Sequence, residues 1–138
     1  MLTPESFNAM SVGTLHGLLG IEVIAVAERR LTCQLVVRPD LLAPNGYLHA
    51  GTVVAVADTA CGYGCIANLP EGAQNFTTIE LKSNFLGTVR EGIISCTATL
   101  LHGGRTTQVW DAQVTEAATG KIIALFRCTQ MVLYPRGV

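Results

Sequence analysis

Charge is what this sequence has least of. Of its 138 residues, 14% are Asp, Glu, Lys or Arg, where an average soluble domain carries roughly 25%. The signs nearly cancel, giving a formal net charge of −1, and neither sign gathers into a block. A chain of this balance offers no electrostatic footprint for nucleic acid or an anionic membrane. Aromatic residues are also scarce, at 6% with one tryptophan. No repeat, low-complexity tract or linker is visible, so one domain over residues 1–138 is expected. With 49% apolar residues and so little charge, a lone domain would leave apolar surface exposed; association of copies is expected to cover it.

CxxC motifs are absent too. The five cysteines, Cys33, Cys61, Cys65, Cys96 and Cys128, are odd in number, and no signal-peptide pattern opens the chain. Buried free thiols in a reducing cytoplasm are therefore expected. Cys61 and Cys65 stand four apart, as two metal ligands on a helix would. No His or carboxylate cluster joins them at ligand spacing, so neither a metal nor another cofactor is expected.

One long apolar run is present, from Gly51 to Leu69, near the roughly 20 residues a membrane span needs. Asp58 at its centre, its glycines and the lack of flanking Lys or Arg argue for a buried helix over about 50–68 instead. From Leu41 to Pro70, Asp58 is the only charged side chain. A carboxylate in such a segment is costly to bury without compensation, so it needs a reason.

The rest of the pattern frames this helix. Thr3-Pro4-Glu5 reads as an N-cap with proline in the first turn, opening a helix to about Leu19 that is broken or ended near Gly13 or Gly17. Gly20 to Glu28 and Leu31 to Arg38 read as strands, the second alternating with period two. Pro44-Asn45-Gly46 is a turn signal. After Leu69-Pro70-Glu71-Gly72 come four strand-like runs: Phe76–Leu86, Gly92–His102, Thr106–Thr115 and Lys121–Tyr134. Gly103-Gly104 and Thr119-Gly120 supply hairpin turns between the last three. The expected class is α+β with an antiparallel sheet. A helix apolar nearly all round must be covered on most sides, so the sheet should curl about it or a second subunit should finish the cover. Gly51, Ala55, Asp58, Gly62 and Cys65 fall on one helical stripe of small residues, suited to close packing or to approach by a ligand.

His49-Ala50-Gly51 stands where the long helix begins. A helix N-terminus presents unpaired N–H groups and partial positive charge, a setting for a developing oxyanion. Nine residues separate His49 from Asp58, about 13 Å along the axis and roughly half a turn around it, too far for one site within one subunit. Two antiparallel copies across a two-fold axis would bring one helix terminus to the other's Asp58. Two readings of Asp58 stand here: a buried carboxylate bonded to Thr or backbone groups, or a base. His49 likewise reads as a loop-bonding helix-start residue or as a site residue. His16, His49 and His102 form no cluster, and Ser83 and Ser95 lack a nucleophile-elbow setting.

Leu48-His49-Ala50-Gly51 followed by Asp58 resembles the LHGG…D signature of hotdog-fold thioesterases, in particular the phenylacetate-pathway (PaaI-like) group. "NFTTIELKSNFLG" resembles that family's strand after the central helix, and "HGGRTTQVWDAQV" with "ATGKIIALFRCTQMVL" its closing hairpin. The resemblance covers nearly the whole chain. It implies a hotdog fold, an antiparallel sheet wrapped around the central helix, and hydrolysis of an acyl- or aryl-coenzyme A thioester. It implies a homodimer with sites at its interface, often a dimer of dimers (a homotetramer), with coenzyme A entering only as part of the substrate.

Position by position, Asp58 matches the catalytic carboxylate, base or nucleophile, and the Ala50 N–H would polarise the thioester carbonyl. His49 would support that loop or hydrogen-bond the carbonyl, Gly51 completes the motif, and Thr78 matches a hydroxyl that orients water or carboxylate. Arg105, Thr106 and Thr107 resemble a segment near the coenzyme A phosphates. Two departures stand out: Ala50 replaces the first glycine after the His, and Ala43 stands where Asn or Gln is usual, leaving Asn45 as the nearest substitute. Phe76, Tyr63 and Leu86 are candidates to line the acyl pocket. A hotdog dehydratase or hydratase and a non-enzymatic acyl-coenzyme A binding module are the alternatives; the first lacks its proline- and glycine-rich His setting here, and the second needs no buried carboxylate.

Overall fold

The computed structural model describes residues 2–137. Thr3 caps the first helix, α1 (Pro4–Ser11), in a capping box: its hydroxyl accepts the Ser6 N–H, and the Ser6 hydroxyl accepts the Thr3 N–H. Two backbone N–H donors at this helix start are satisfied reciprocally this way, with proline where no N–H is needed. The segment to Leu19, expected to break near Gly13 or Gly17, is two helical pieces. The break is at 12–14, around Gly13 with φ +77°, and a short α2 (Leu15–Leu19) follows, closed by Gly20 in the left-handed region.

Six strands follow: β1 (Glu22–Ala27), β2 (Arg30–Val37), β3 (Asn75–Phe85), β4 (Gly92–Gly103), β5 (Thr107–Glu116) and β6 (Ile122–Leu133). They form one antiparallel sheet in the order β1-β2-β4-β5-β6-β3. The long helix α3 (Ala50–Ala67) enters between β2 and β3 in sequence and packs against all six strands. The sheet therefore curls around it, as a helix with apolar residues on nearly every side requires.

Alternation decides which strand residues face α3. On β2, Leu31, Cys33, Leu35 and Val37 are buried while Val36 is 61% exposed. Ile94, Cys96, Ala98 and Leu100 do the same on β4, and Gln108, Trp110, Ala112 and Val114 on β5. Cys33 sits directly opposite Cys96, and Trp110 opposite Cys128. All five cysteines are free and buried.

Where α3 meets the sheet, glycine makes the fit. A Cβ on Gly64 would lie 2.7 Å from the Trp110 ring, and one on Gly62 would lie 2.9 Å from the Phe76 ring. The small-residue stripe read from the sequence is thus only partly a packing surface. Gly62 and Cys65 are buried, whereas Gly51 is exposed and Ala55 and Asp58 are half-buried. Together with Ala50 and Val54 they form the flank of α3 that its own sheet leaves open. Asp58 stands at the inner end of this flank.

Candidate active site

The loop into α3 is tied down by its own backbone. Ala43 N–H donates to Tyr47 C=O at 2.7 Å, His49 N–H donates to Leu41 C=O at 3.1 Å, and Leu48 N–H donates to the Thr88 hydroxyl at 2.8 Å. His49 is the N-cap of α3. Its Nδ1 accepts the Gly51 N–H at 2.7 Å, and its carbonyl accepts Thr52 and Val53. The Gly51 donor is therefore spent within the loop. The Ala50 N–H, at an exposed position, has no partner among the described residues, so it is the first-turn donor left for an incoming oxygen. The side chain of Asn45 accepts the Tyr47 N–H at 3.1 Å and is exposed; it bonds back to its own turn, away from Asp58.

Around Asp58 the sheet and α2 supply what the sequence keeps apart. The Thr78 hydroxyl on β3 lies 3.4 Å from Asp58 Oδ1 and 2.7 Å from the Gln130 side-chain oxygen on β6. His16 on α2 stacks on the Tyr63 ring at 5.1 Å between centroids, and Tyr63 is held by Ser11 at 2.7 Å. Burial pushes the Asp58 carboxyl above its ordinary range, while the Thr78 hydroxyl and the nearby His16 pull it part of the way back. Burial lowers His16, and Asp58 opposes that. A carboxylate with raised basicity on an open flank is suited to accept a proton near neutral pH.

Cys61, one turn beyond Asp58, is no nucleophile of this site. Its thiol is held well above its usual range by its hydrogen bond with Cys128 and by burial, and the thiolate is the reactive form. Among the described residues, no group of three or more His, Cys, Asp or Glu side chains converges to hold a metal ion.

The remaining sequence candidates lie further along the sheet. Thr107 opens β5 beside Met131, which pairs with Thr77 on β3, so Thr107 and Thr77 are two strand spacings apart, about 10 Å. Arg105 and Thr106 are exposed in the β4–β5 turn. The Arg105 guanidinium stacks over the Tyr134 ring at 5.9 Å, and its carbonyl accepts the Tyr134 hydroxyl. Ala50 and Asp58 are eight residues apart on one helix, about 12 Å, so one chain does not join them.

Of the residues expected to line an acyl pocket, Tyr63 is buried between Phe7 and His16, and Phe76 packs on Gly62. An apolar hollow of about 390 Å³ lies instead beside the start of α3, lined by Tyr47, Leu48, Val53, Phe85 and Thr88; Leu86 is exposed next to it in sequence. His16 and Gln130 were not legible as site residues. Gln130 had a signal: it is the one amide in the inward row Ala124, Phe126, Cys128, Gln130, Val132. His16 had none, because α2's docking on α3 is a tertiary event.

Residues 45–123 match the family described as the thioesterase superfamily. A 1,4-dihydroxy-2-naphthoyl-CoA hydrolase of Listeria monocytogenes is 32% identical over 115 residues, covering 83% of this chain and 92% of the relative. The crystal structure of a thioesterase from Haemophilus influenzae superposes with a TM-score of 0.91 at 28% identity, covering 97% of this chain and 92% of that one. The PaaI protein of the Escherichia coli phenylacetic acid degradation operon superposes with a TM-score of 0.80 at 26% identity, covering 91% and 88%. With its antiparallel sheet wrapped on a central helix, the chain belongs to the thioesterase superfamily and is a hotdog-fold thioester hydrolase.

Proposed function

We propose that the protein hydrolyses the coenzyme A thioester of an acyl or aryl acid to the free acid and coenzyme A, with Asp58 as general base. The observation that carries this reading is the half-buried Asp58 on the open flank of α3, raised in basicity and backed by Thr78. Asp58 takes a proton from water as the water oxygen bonds to the thioester carbon. The carbonyl oxygen becomes an oxyanion on the free Ala50 N–H, a donor typically worth ~3 kcal/mol. The C–S bond then breaks, and the sulfur leaves with the proton held by Asp58. Attack by the carboxylate itself, through an anhydride that water opens, uses the same atoms.

Ala50 and Asp58 of one chain are too far apart to share a substrate, so the site is composite. In a two-fold dimer with antiparallel α3 helices, the Ala50 terminus of one protomer faces Asp58 of its partner. Relatives named as CoA hydrolases support the thioester class. The Arg105–Thr107 turn is the proposed contact for the coenzyme A phosphates, and Arg105 supplies its positive charge.

Free thiol release from a panel of acyl- and aryl-coenzyme A thioesters tests this. Asp58→Asn should lower kcat about 10²–10⁴-fold, the usual worth of a positioned acid–base group, with the fold intact. Unchanged turnover would remove Asp58 from the chemistry. Tight coenzyme A ester binding with no turnover of any ester would favour a binding module. Following oxygen-18 from water in a single turnover separates base from nucleophile.

A further inference from the structure

Gln130 is fully buried on the concave face of β6, in a row that is otherwise apolar or thiol. Its Oε1 lies 2.7 Å from the Thr78 hydroxyl oxygen, which lies 3.4 Å from Asp58 Oδ1. Among the described residues its Nε2 reaches only the Cys128 sulfur, 3.5 Å away, and a thiol sulfur is a weak acceptor. A fully buried amide whose nitrogen is left on sulfur is poorly satisfied for a native core.

Thr78 has one hydroxyl proton and faces two acceptors. With Gln130 Oε1 towards it, the proton favours the shorter contact, and Asp58 keeps only the long 3.4 Å contact to Thr78. That arrangement suits a neutral Asp58, whose own O–H can donate to Thr78 Oγ1. A charged Asp58 needs the reverse, with the Thr78 hydroxyl donating to the carboxylate. Thr78 Oγ1 would then face Gln130 Oε1 lone pair to lone pair at 2.7 Å. Turning the amide over replaces that clash with an Nε2–H donor and gives up only the Cys128 contact. The nitrogen and oxygen of an amide are distinguished only by such partners.

We propose that Gln130 is a positioning residue of the hydrolytic site: through the Thr78 hydroxyl, its buried amide turns over to keep a donor on Asp58 when the carboxylate is charged. The role rests on Asp58 being the base. In the charged state a chain of donors runs from Gln130 Nε2–H to Thr78 Oγ1–H to Asp58 Oδ1. A hydrogen bond to a carboxylate is charge-assisted, and the amide behind it strengthens it further. The other titratable groups that act on Asp58 are His16 from α2 and Cys61, one turn on along α3 itself. Glu80 and Lys82 of β3 pair with Thr129 and Arg127, and Asp111 of β5 with Arg127, on the opposite face of the sheet, because the bulge between Thr78 and Glu80 reverses the alternation there.

The test reads the Gln130 side-chain amide by NMR while the Asp58 carboxyl is titrated in the whole protein. The Gln130 NH2 signals should move with the same inflection as the Asp58 carboxyl carbon, and Thr78→Val should abolish that movement. Gln130→Met should raise the Asp58 titration, and with it the acid limb of kcat/KM, by about half a pH unit, the scale of one lost cooperative donor. In a Thr78→Val background the same change should add nothing. Gln130 signals that stay flat through the carboxyl titration, or that still follow it in Thr78→Val, would overturn the proposal. If Gln130→Met does not fold, the amide signals of wild type and Thr78→Val decide alone. Full turnover by Asp58→Asn would defeat the hydrolytic reading, while the carboxyl titration would still decide the link to Gln130.

Discussion

Asp58 keeps a charge where the chain has removed nearly every other one, and its surroundings set when that charge appears. Burial raises its pKa in the fold, so the folded protein binds this proton more tightly than the unfolded chain does. The contribution to stability is therefore fullest below the unfolded value, about 3.9, and is lost as pH rises through the higher folded value. Asp58→Asn removes that loss. It should be more stable than wild type at pH 7.5 by about 1 kcal/mol, the usual gain from relieving one strained site, with the gap narrowing towards pH 4.5. Urea denaturation at both pH values measures it; a gap independent of pH would show that charge burial is not its source. His16 acts on the same carboxyl from the other side. His16→Phe keeps a ring on Tyr63 and removes the positive charge, so the acid limb of kcat/KM should move to higher pH. An unmoved limb in a folded variant would mean that the imidazole does not reach Asp58.

At the scale of elements, the contact between α3 and β5 holds the helix that carries Asp58. Trp110 is fully buried, with its indole N–H on Gln108, and its ring lies against bare backbone at Gly64. Gly64→Ala gains about 1 kcal/mol of helix propensity, yet places a methyl 2.7 Å from a ring with nowhere to go. Overpacking of this kind typically costs about 1–3 kcal/mol. The variant should be destabilised in chemical denaturation, and a stabilised one would show that the helix shifts freely on the sheet. The ends of α3 follow from local chemistry. His49 caps one end, and Asn68 closes the other, its C=O bonded by Gln108.

For the molecule as a whole, edge strand β3 carries a run of exposed apolar side chains beside α3. Ile79 is 52% exposed, Leu81 42% and Phe85 48%, with Leu86 at 58% beyond the strand end. A long apolar edge is a template for pairing with another chain, and it borders the open flank of α3. Sedimentation should give a species no smaller than a dimer, and Ile79→Lys should shift it towards monomer with at least a tenfold loss of turnover, on the scale of a misplaced catalytic group. An active monomer would dissolve the composite site.

Much of this was legible along the chain because it is local or periodic. The period-two run in β2 fixes which of its residues face inward, and Thr3-Pro4 fixes a helix start. An unbroken apolar stretch fixes the central helix, and the one carboxylate within it marks the place where chemistry was to be sought. The break at 12–14 was less legible, because Gly13 and Gly17 carry equal weight in sequence and only the first sits in the left-handed region.

The sequence by itself determined the fold class and nominated Asp58, His49 and Ala50. Alternation, capping and the desolvation of a lone charge act over neighbours in the chain, and there a sequence can be read. Tertiary structure alone decided which N–H the helix start leaves free, that Asn45 turns back on its own loop, and that His16 and Gln130 surround the carboxyl. Those depend on packing of a short helix and on strand register across the sheet, which bring together groups 42 and 72 residues from Asp58 in sequence.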